Sequence, residues 1–164
     1  MHPFHLSKAA ETGLIAVPSA LASLAMLLWA KRSDGRNERT WHVVVPCAVA
    51  ALAWYGAARV IADPAWLTVL MSVAYCAMYA ALVVFWTMPT RFLAATARPA
   101  GLAIITALGL PGSMLSLSLG GQLRDSYGSF APCFVLAAVG MLACGLVVST
   151  MSSSQVRKSM RVAA

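Results

Sequence analysis

Residues 64–90 read PAWLTVLMSVAYCAMYAALVVFWTMPT and contain no charged side chain. A helix needs about 20 predominantly apolar residues to cross the hydrocarbon core of a bilayer, so this stretch alone is long enough. Four further charge-free stretches share this property: 12–30, 40–58, 99–123 and 126–156. Hydrocarbon offers no hydrogen-bond partner to the backbone, so adjacent spans of this length form helices. The sequence therefore predicts an all-α, polytopic membrane helical bundle with five transmembrane helices.

The composition supports one membrane domain and excludes an ordinary water-soluble one. Hydrophobic residues make up 60% of the 164 residues and charged residues only 10%, against about 25% charged residues in typical soluble domains. We predict a single transmembrane bundle over residues 1–164, with spans at about 12–30, 41–62, 65–88, 100–123 and 130–151. Because the connections are short, we expect successive spans to be antiparallel neighbours.

Basic residues are concentrated in alternate connections between the spans. Nine of the twelve lysines and arginines fall in the first connection, the third connection or the C-terminal tail. Cytoplasmic loops of membrane proteins carry such an excess. We therefore predict a multi-pass protein of the cell (inner or plasma) membrane, with the N-terminus outside and the C-terminus in the cytoplasm. The net charge of +7 is then a topology signal, and the predicted partner is the lipid bilayer rather than nucleic acid.

The residue types that support catalysis or metal binding form no recognisable motif. The four cysteines are Cys47, Cys76, Cys133 and Cys144. All lie inside apolar spans without a paired spacing, which favours small packing residues over a disulfide or metal framework. The histidines lack metal-ligand spacing, and no nucleophile–base or paired-carboxylate motif is present. We predict no metal, no cofactor, no catalytic residues and no enzymatic activity.

Span three carries a row of polar and aromatic side chains. The row consists of Thr68, Ser72, Tyr75, Tyr79 and Trp86. Their spacing places them on one face of a helix. Polar side chains at membrane depth face a bundle interior or a wet cavity, which makes the row a candidate lining of a substrate cavity. The other interpretation is that its hydroxyls form hydrogen bonds across a helix interface.

Spans two and four each add one feature. Arg59, near the outer end of span two, is interpreted as a snorkelling side chain paired with Asp63, with an anion contact as the alternative. Span four places Gly112, Ser116 and Gly120 at four-residue spacing. Such a face of small residues is suited to close helix packing.

Three segments resemble motifs of one transporter family. The first inner connection reads LWAKRSDGRNERTWHV (28–43), and the end of span three reads FWTMPTRFL (85–93). Span four reads GLAIITALGLPG (101–112) and is followed by GGQLRDSYGSF (120–130). In this order the segments resemble the last five helices of twelve-helix major facilitator superfamily transporters, in the anion:cation symporter branch that carries organic acids such as tartrate or phthalate. The resemblance implies a partial C-terminal half of that fold.

The resemblance also implies roles for particular residues. The first inner connection, with Asp34, Arg36, Glu38 and Arg39, is similar to the family's gating loop, which biases one access state. Span three is similar to the helix that lines the central substrate cavity. Span four is similar to a helix that contacts the opposite half of the transporter.

We therefore expect the C-terminal part of a secondary transporter for a small organic anion, carried alone or together with a proton, that works by alternating access. Alternating access needs two bundles, so we expect the chain to require a missing or separate N-terminal helical half and to be inactive alone. All five carboxylates lie at span ends or in connections, so a proton-carrying group at membrane depth would belong to that other half. The alternative is a non-transport membrane protein that binds a partner through span four.

Overall fold

The computed structural model describes residues 8–36 and 39–162, with side chains described for 16–35, 39–90 and 93–151. Five long helices and one short helix make up this part of the chain: α1 (Lys8–Arg36), α2 (Arg39–Arg59), α3 (Pro64–Thr87), α4 (Pro89–Phe92), α5 (Arg98–Tyr127) and α6 (Ala131–Val162). The described residues contain no strand. The prediction of an all-α fold is therefore confirmed.

Four of the long helices have the length and apolar character needed to cross a membrane. They are α2, α3, α5 and the Ala131–Met151 part of α6. The first predicted span corresponds to α1, which has 29 residues but is not among these four within the described part of the chain. The fold is an all-α membrane helical bundle. That α1 also crosses the membrane stays a prediction.

Short-range signals in the sequence set the helix ends on one side of the bundle. The Asp63 carboxylate accepts hydrogen bonds from the N–H groups of Ala65 at 3.0 Å and Trp66 at 3.3 Å. An aspartate N-cap followed by Pro64 in the first helical position is a favoured helix start. Gly128 ends α5 in the left-handed conformation, with φ of 62°, which glycine adopts at little cost.

The first inner connection is more helical than an open loop. α1 continues through the basic residues to Arg36, and α2 begins at Arg39. The charged segment therefore extends two helices instead of separating them by a long turn.

The central helix of the bundle is α2, which packs between α3 and α6. α3 packs on its other side against α1, whereas α1 and α2 touch only slightly. The expectation that successive spans are neighbours is therefore wrong for α1 and α2, because α3 and α6 occupy the two faces of α2. It is also wrong for the third and fourth spans, because the described residues of α3 and α5 make no contact. The resulting order across the bundle is α1, α3, α2, α6.

Alanine lines the core around α2. The main buried cluster consists of Ala50, Ala51, Ala53, Trp54, Ala74, Ala77 and Ala138. Lipid tails are as apolar as a helix surface, so helices in a membrane associate through close packing, which small side chains allow. Trp54 fills the remaining space, with its ring centroid 5.7 Å from that of Tyr75 and 5.4 Å from that of Phe134.

In contrast, α5 lies apart from this core. None of its 30 residues is buried, and its neighbours among the described elements are α6 and α4. Most of the surface of α5 is therefore uncovered by the helices described.

Candidate functional site

A small cavity lies between α1 and α3. Its volume is about 120 Å³, and the described residues lining it are Ser19, Ala22, Ser23 and Tyr79. The two serines are one turn apart and share a face of α1, where the Ser23 hydroxyl donates a hydrogen bond to the Ser19 carbonyl at 3.0 Å. The described lining thus combines three hydroxyl groups with one methyl group and carries no charge.

The chemistry of this lining suits a hydrogen-bonding ligand. Serine and tyrosine hydroxyls can each donate to a carboxylate or accept from a donor. Tyr79 is 38% exposed, so packing leaves part of its side chain accessible. Pockets that enclose a small molecule usually measure about 300–1,000 Å³. A cavity of about 120 Å³ is therefore smaller than the pockets that usually enclose a small molecule.

Sequence reasoning identified Tyr79 but missed the two serines. Their four-residue spacing in an otherwise apolar span was the available signal. That signal became specific only when the structure placed α1 against α3, because a pair of serines can equally bond to its own helix.

The other members of the polar row on α3 have different surroundings. The Thr68 hydroxyl donates to the Pro64 carbonyl at 2.7 Å, and the Ser72 hydroxyl donates to the Thr68 carbonyl at 2.7 Å. Both hydroxyls are thus bonded within their own helix. Neither of them lines the cavity between α1 and α3.

The two remaining aromatic residues of the row lie away from the cavity. Tyr75 packs edge-on against Trp54 of α2, in the core. Trp86 is 37% exposed, and the centroid of its ring lies 5.8 Å from that of the adjacent Phe85. The structure thus brings one of the five predicted residues, Tyr79, to the cavity between α1 and α3. A larger substrate cavity lined by the whole row stays a prediction.

An ion pair joins α1 to α2 in the first inner connection. Arg39 Nη2 lies 3.0 Å from Asp34 Oδ1, with the arginine side chain 15% and the aspartate side chain 67% exposed. The pair links the last turns of α1 to the first turn of α2. The side chain of Arg36, and Glu38 as a whole, lie outside the described residues, so the gating role of this loop stays a prediction.

Next to this ion pair, Trp29 near the end of α1 packs against His42 near the start of α2. Trp29 Nε1 donates to the His42 carbonyl at 2.9 Å, and the two rings lie 5.5 Å apart. Ser33 is 2% exposed. Its hydroxyl and Arg39 Nε have no hydrogen-bond partner among the described residues.

Arg59 has a different partner from the one predicted. Its guanidinium donates to the Tyr55 hydroxyl at 3.1 Å and lies 5.9 Å from the centroid of that ring. The expected ion pair with Asp63 is therefore wrong, because the carboxylate caps α3 and Tyr55 offers the arginine both an acceptor and a π-face. An anion contact at Arg59 stays a prediction.

The face of small residues on α5 is largely open. Among the described residues, no heavy atom lies within 4 Å of where a Cβ would stand on Gly112 or Gly120. The Ser116 hydroxyl donates to the Ser113 carbonyl within the helix, at 3.0 Å. The helix packing predicted for this face has no partner among the helices described.

Within the described part of the chain, no three histidine, cysteine or acidic side chains are grouped to hold a metal ion. The prediction that the chain binds no metal is a statement about the whole sequence and stays a prediction.

Comparison with known proteins relates the chain to transporters. It is 36% identical over 146 residues to an Agrobacterium vitis protein that carries the name tartrate transporter, which covers 87% of this chain and 33% of that protein. It is 33% identical over 137 residues, 83% of this chain and 31% of the relative, to the Pseudomonas putida protein named metabolite transport protein NicT. A quinolone resistance transporter of Acinetobacter baumannii is 27% identical over 79% of this chain and 30% of its own length. The chain thus spans about a third of the length of the relatives it matches.

Two other comparisons gave no match. No protein-family model matches the chain, and neither does any solved structure. The relatives and the four span-capable helices together define a multi-pass membrane protein that is related to transporters.

Proposed function

We propose that this chain forms part of the C-terminal bundle of a major facilitator transporter of the anion:cation symporter branch, and that it carries a small organic anion by alternating access. The observation that carries the proposal is the 36% identity, over 87% of the chain, to a protein named for tartrate transport. The motifs in 28–43, 85–93 and 101–130 support the same branch. The alternative is a membrane protein that binds a partner without transport. The names of the relatives do not support it.

The cavity between α1 and α3 contributes one wall of the proposed substrate site. The Tyr79 hydroxyl would donate to a carboxylate of the anion, and hydrogen bonds to a charged acceptor are stronger than neutral ones. The Ser23 hydroxyl, which donates its proton to the Ser19 carbonyl, would accept a hydrogen bond from a hydroxyl group of the anion. A dianion such as tartrate also needs a cation nearby. Arg59, at the outer end of α2, is the candidate anion contact on this chain, but it lies about 20 Å along the helix axis from Tyr79. The cation beside the cavity would therefore come from other helices of the transporter.

The remaining helices of the transporter are part of the proposal. The relatives extend over about three times the length that this chain matches, and α5 has no buried residue. We propose that a bundle equivalent to the rest of the relatives covers α5 and completes the substrate site. Alternating access then consists of the two bundles rocking about that site, with the Asp34–Arg39 pair as part of the inner gate.

The test is uptake of radiolabelled tartrate by cells that express one or both parts of such a transporter. The chain is expressed alone, the part of the A. vitis relative that the chain does not match is expressed alone, and the two are expressed together. We expect uptake above the vector background only when both are present. Amounts of each polypeptide in the membrane are measured by immunoblot as the control.

Two outcomes would argue against the proposal. Uptake by this chain alone, equal to that of the pair, would contradict the need for a second bundle. If both polypeptides were present and co-purified, yet neither tartrate nor other small organic acids were taken up, the assignment as an organic-anion carrier would be wrong.

A further inference from the structure

The cavity between α1 and α3 offers a ligand two different kinds of hydrogen-bonding group. The Ser23 hydroxyl donates its only proton to the Ser19 carbonyl at 3.0 Å, so its oxygen keeps lone pairs that accept. Tyr79 lines the same cavity, and its phenolic O–H can donate. Ser23 therefore suits a donor group on the ligand, whereas Tyr79 suits an acceptor group.

The chemistry of the lining restricts which donor can bind to Ser23. The described lining carries no charged side chain. An ammonium group of the ligand would leave water there without a carboxylate to pair with, which is costly. A carboxylate of the ligand has no proton at neutral pH and cannot donate. Among the common groups of small organic acids, a neutral hydroxyl is therefore the donor that remains.

The volume of the cavity limits how much of a ligand it holds. At about 120 Å³ it is smaller than pockets that enclose a whole small molecule, which measure about 300–1,000 Å³. Ala22, which is 2% exposed, contributes only a methyl group to the lining. One end of an organic acid therefore fits, and a hydroxyl bound to Ser23 and a carboxylate bound to Tyr79 would stand on adjacent carbons.

We propose that this cavity recognises a 2-hydroxycarboxylate unit, in which the hydroxyl donates to Ser23 Oγ and the neighbouring carboxylate accepts from the Tyr79 hydroxyl. Ser23 is then the residue that determines specificity for hydroxylated over unsubstituted acids, because an analogue without the hydroxyl leaves the buried acceptor unpaired. This inference rests on the proposed function, since it takes the cavity as part of the substrate site of an organic-anion carrier. It goes further by naming the class of acid.

The test compares three four-carbon dicarboxylic acids that differ at a single carbon. Malate carries a hydroxyl group there, succinate a hydrogen and aspartate an ammonium group. Each is added unlabelled to cells that express both parts of the transporter, and its inhibition constant against uptake of radiolabelled tartrate is measured. A hydrogen bond between neutral groups corresponds to a preference of about two- to ten-fold. We expect malate to inhibit better than succinate by this factor and aspartate to inhibit no better than succinate.

Substitutions of Ser23 test whether its oxygen causes the preference. In Ser23→Ala we expect the inhibition constant of malate to rise to that of succinate, while that of succinate changes little. Ser23→Thr keeps the hydroxyl and is expected to keep the preference. The matched control is Ser149→Ala on α6, where the native hydroxyl also donates within its own helix, to the Leu146 carbonyl at 2.8 Å. A merely structural effect would lower tartrate uptake without changing the ratio of the two constants.

Different results would overturn this inference and the proposed function. If tartrate is taken up but malate and succinate inhibit equally in the wild type, the cavity does not recognise the hydroxyl group and the inference is wrong. The same holds if Ser23→Ala keeps the full preference for malate. If both parts are present in the membrane and no organic acid is taken up, the proposed function fails, and this inference fails with it.

Discussion

Two tyrosines one turn apart on α3 serve different purposes. Tyr79 lies at the cavity with the serines of α1, while Tyr75 packs against Trp54 in the core. Both came from the same row in the sequence, because spacing alone gives the face of a helix but not what that face touches. Because only one of the two tyrosines lines the cavity, replacing each in turn by phenylalanine tests the role of the cavity.

We predict that Tyr79→Phe weakens the apparent affinity for a carboxylate substrate and that Tyr75→Phe does not. A hydrogen bond to a charged group contributes about 1.5–3 kcal/mol, which corresponds to a loss of about ten-fold or more in affinity. The measurement is the KM for tartrate uptake by the two-part transporter. Equal effects of the two substitutions would place the substrate elsewhere than the cavity between α1 and α3.

How much of the site was predictable depends on the kind of residue. Tyr79 stood out because a hydroxyl at membrane depth is unusual. Ser19 and Ser23 did not stand out, because small hydroxyl residues are common in transmembrane helices and commonly bond to their own backbone.

At the scale of single helices, the Asp63 carboxylate determines where α3 starts. Asp63 could have paired with Arg59 in the preceding helix, but it caps α3 instead. The substitutions Asp63→Ala and Asp63→Asn separate the two roles, because asparagine is as good an N-cap as aspartate but carries no charge.

We predict that Asp63→Ala lowers the free energy of unfolding by about 1 kcal/mol and that Asp63→Asn changes it little. The measurement is denaturant unfolding of the purified chain in detergent micelles, followed by circular dichroism. If Asp63→Asn destabilised the chain as much as Asp63→Ala, an ion pair would be the dominant interaction and the cap assignment would be wrong.

Glycines on two helices are expected to respond differently to alanine. At Gly145 a Cβ would stand 3.3 Å from the Cβ of Cys47, an atom that cannot rotate away, so α2 and α6 would have to separate slightly. We predict that Gly145→Ala destabilises the chain by about 1–3 kcal/mol, the usual cost of overpacking. The matched control is Gly112→Ala on α5, where the space is open among the described residues and alanine improves helix propensity by up to about 1 kcal/mol.

The same unfolding measurement checks this pair. Equal stability of Gly145→Ala and Gly112→Ala would show that the contact between α2 and α6 is looser than described.

The existence of the helices was predictable, but their pairing was not. Charge-free length is dictated by the bilayer, and Asp63, Pro64 and Gly128 mark helix ends by local chemistry. Which helices touch is decided by complementary small-residue faces. Since alanine occurs in every span, no signal in the sequence distinguishes packing of α1 against α3 from packing of α1 against α2.

At the scale of the whole molecule, the described helices divide into a packed row and an open helix. The row of α1, α3, α2 and α6 buries an alanine-rich core, whereas α5 buries none of its residues. The proposed second bundle covers α5. Substitutions on this helix should therefore affect the assembled transporter more than the chain itself.

We predict that Gly112→Leu leaves the unfolding of the chain alone almost unchanged and strongly reduces tartrate uptake by the two-part transporter. A large side chain on a face of small residues prevents close helix approach. Met114→Ala on the opposite face of the same helix, where the native side chain is 72% exposed, serves as the control. Wild-type uptake by Gly112→Leu would show that this face does not contact the second bundle.

The central claim is a bundle that crosses the membrane five times with its arginine-rich connections inside the cell. It is tested most directly in a background in which the four native cysteines are replaced by alanine. Single cysteines are introduced as Ser7→Cys, Gly35→Cys or Ser126→Cys, and intact cells are treated with a membrane-impermeant maleimide. The account predicts labelling of the Ser7→Cys and Ser126→Cys variants in intact cells, and of the Gly35→Cys variant only after permeabilisation. Labelling of the Gly35→Cys variant from outside would contradict it, because either the orientation would be inverted or α1 would not cross the membrane.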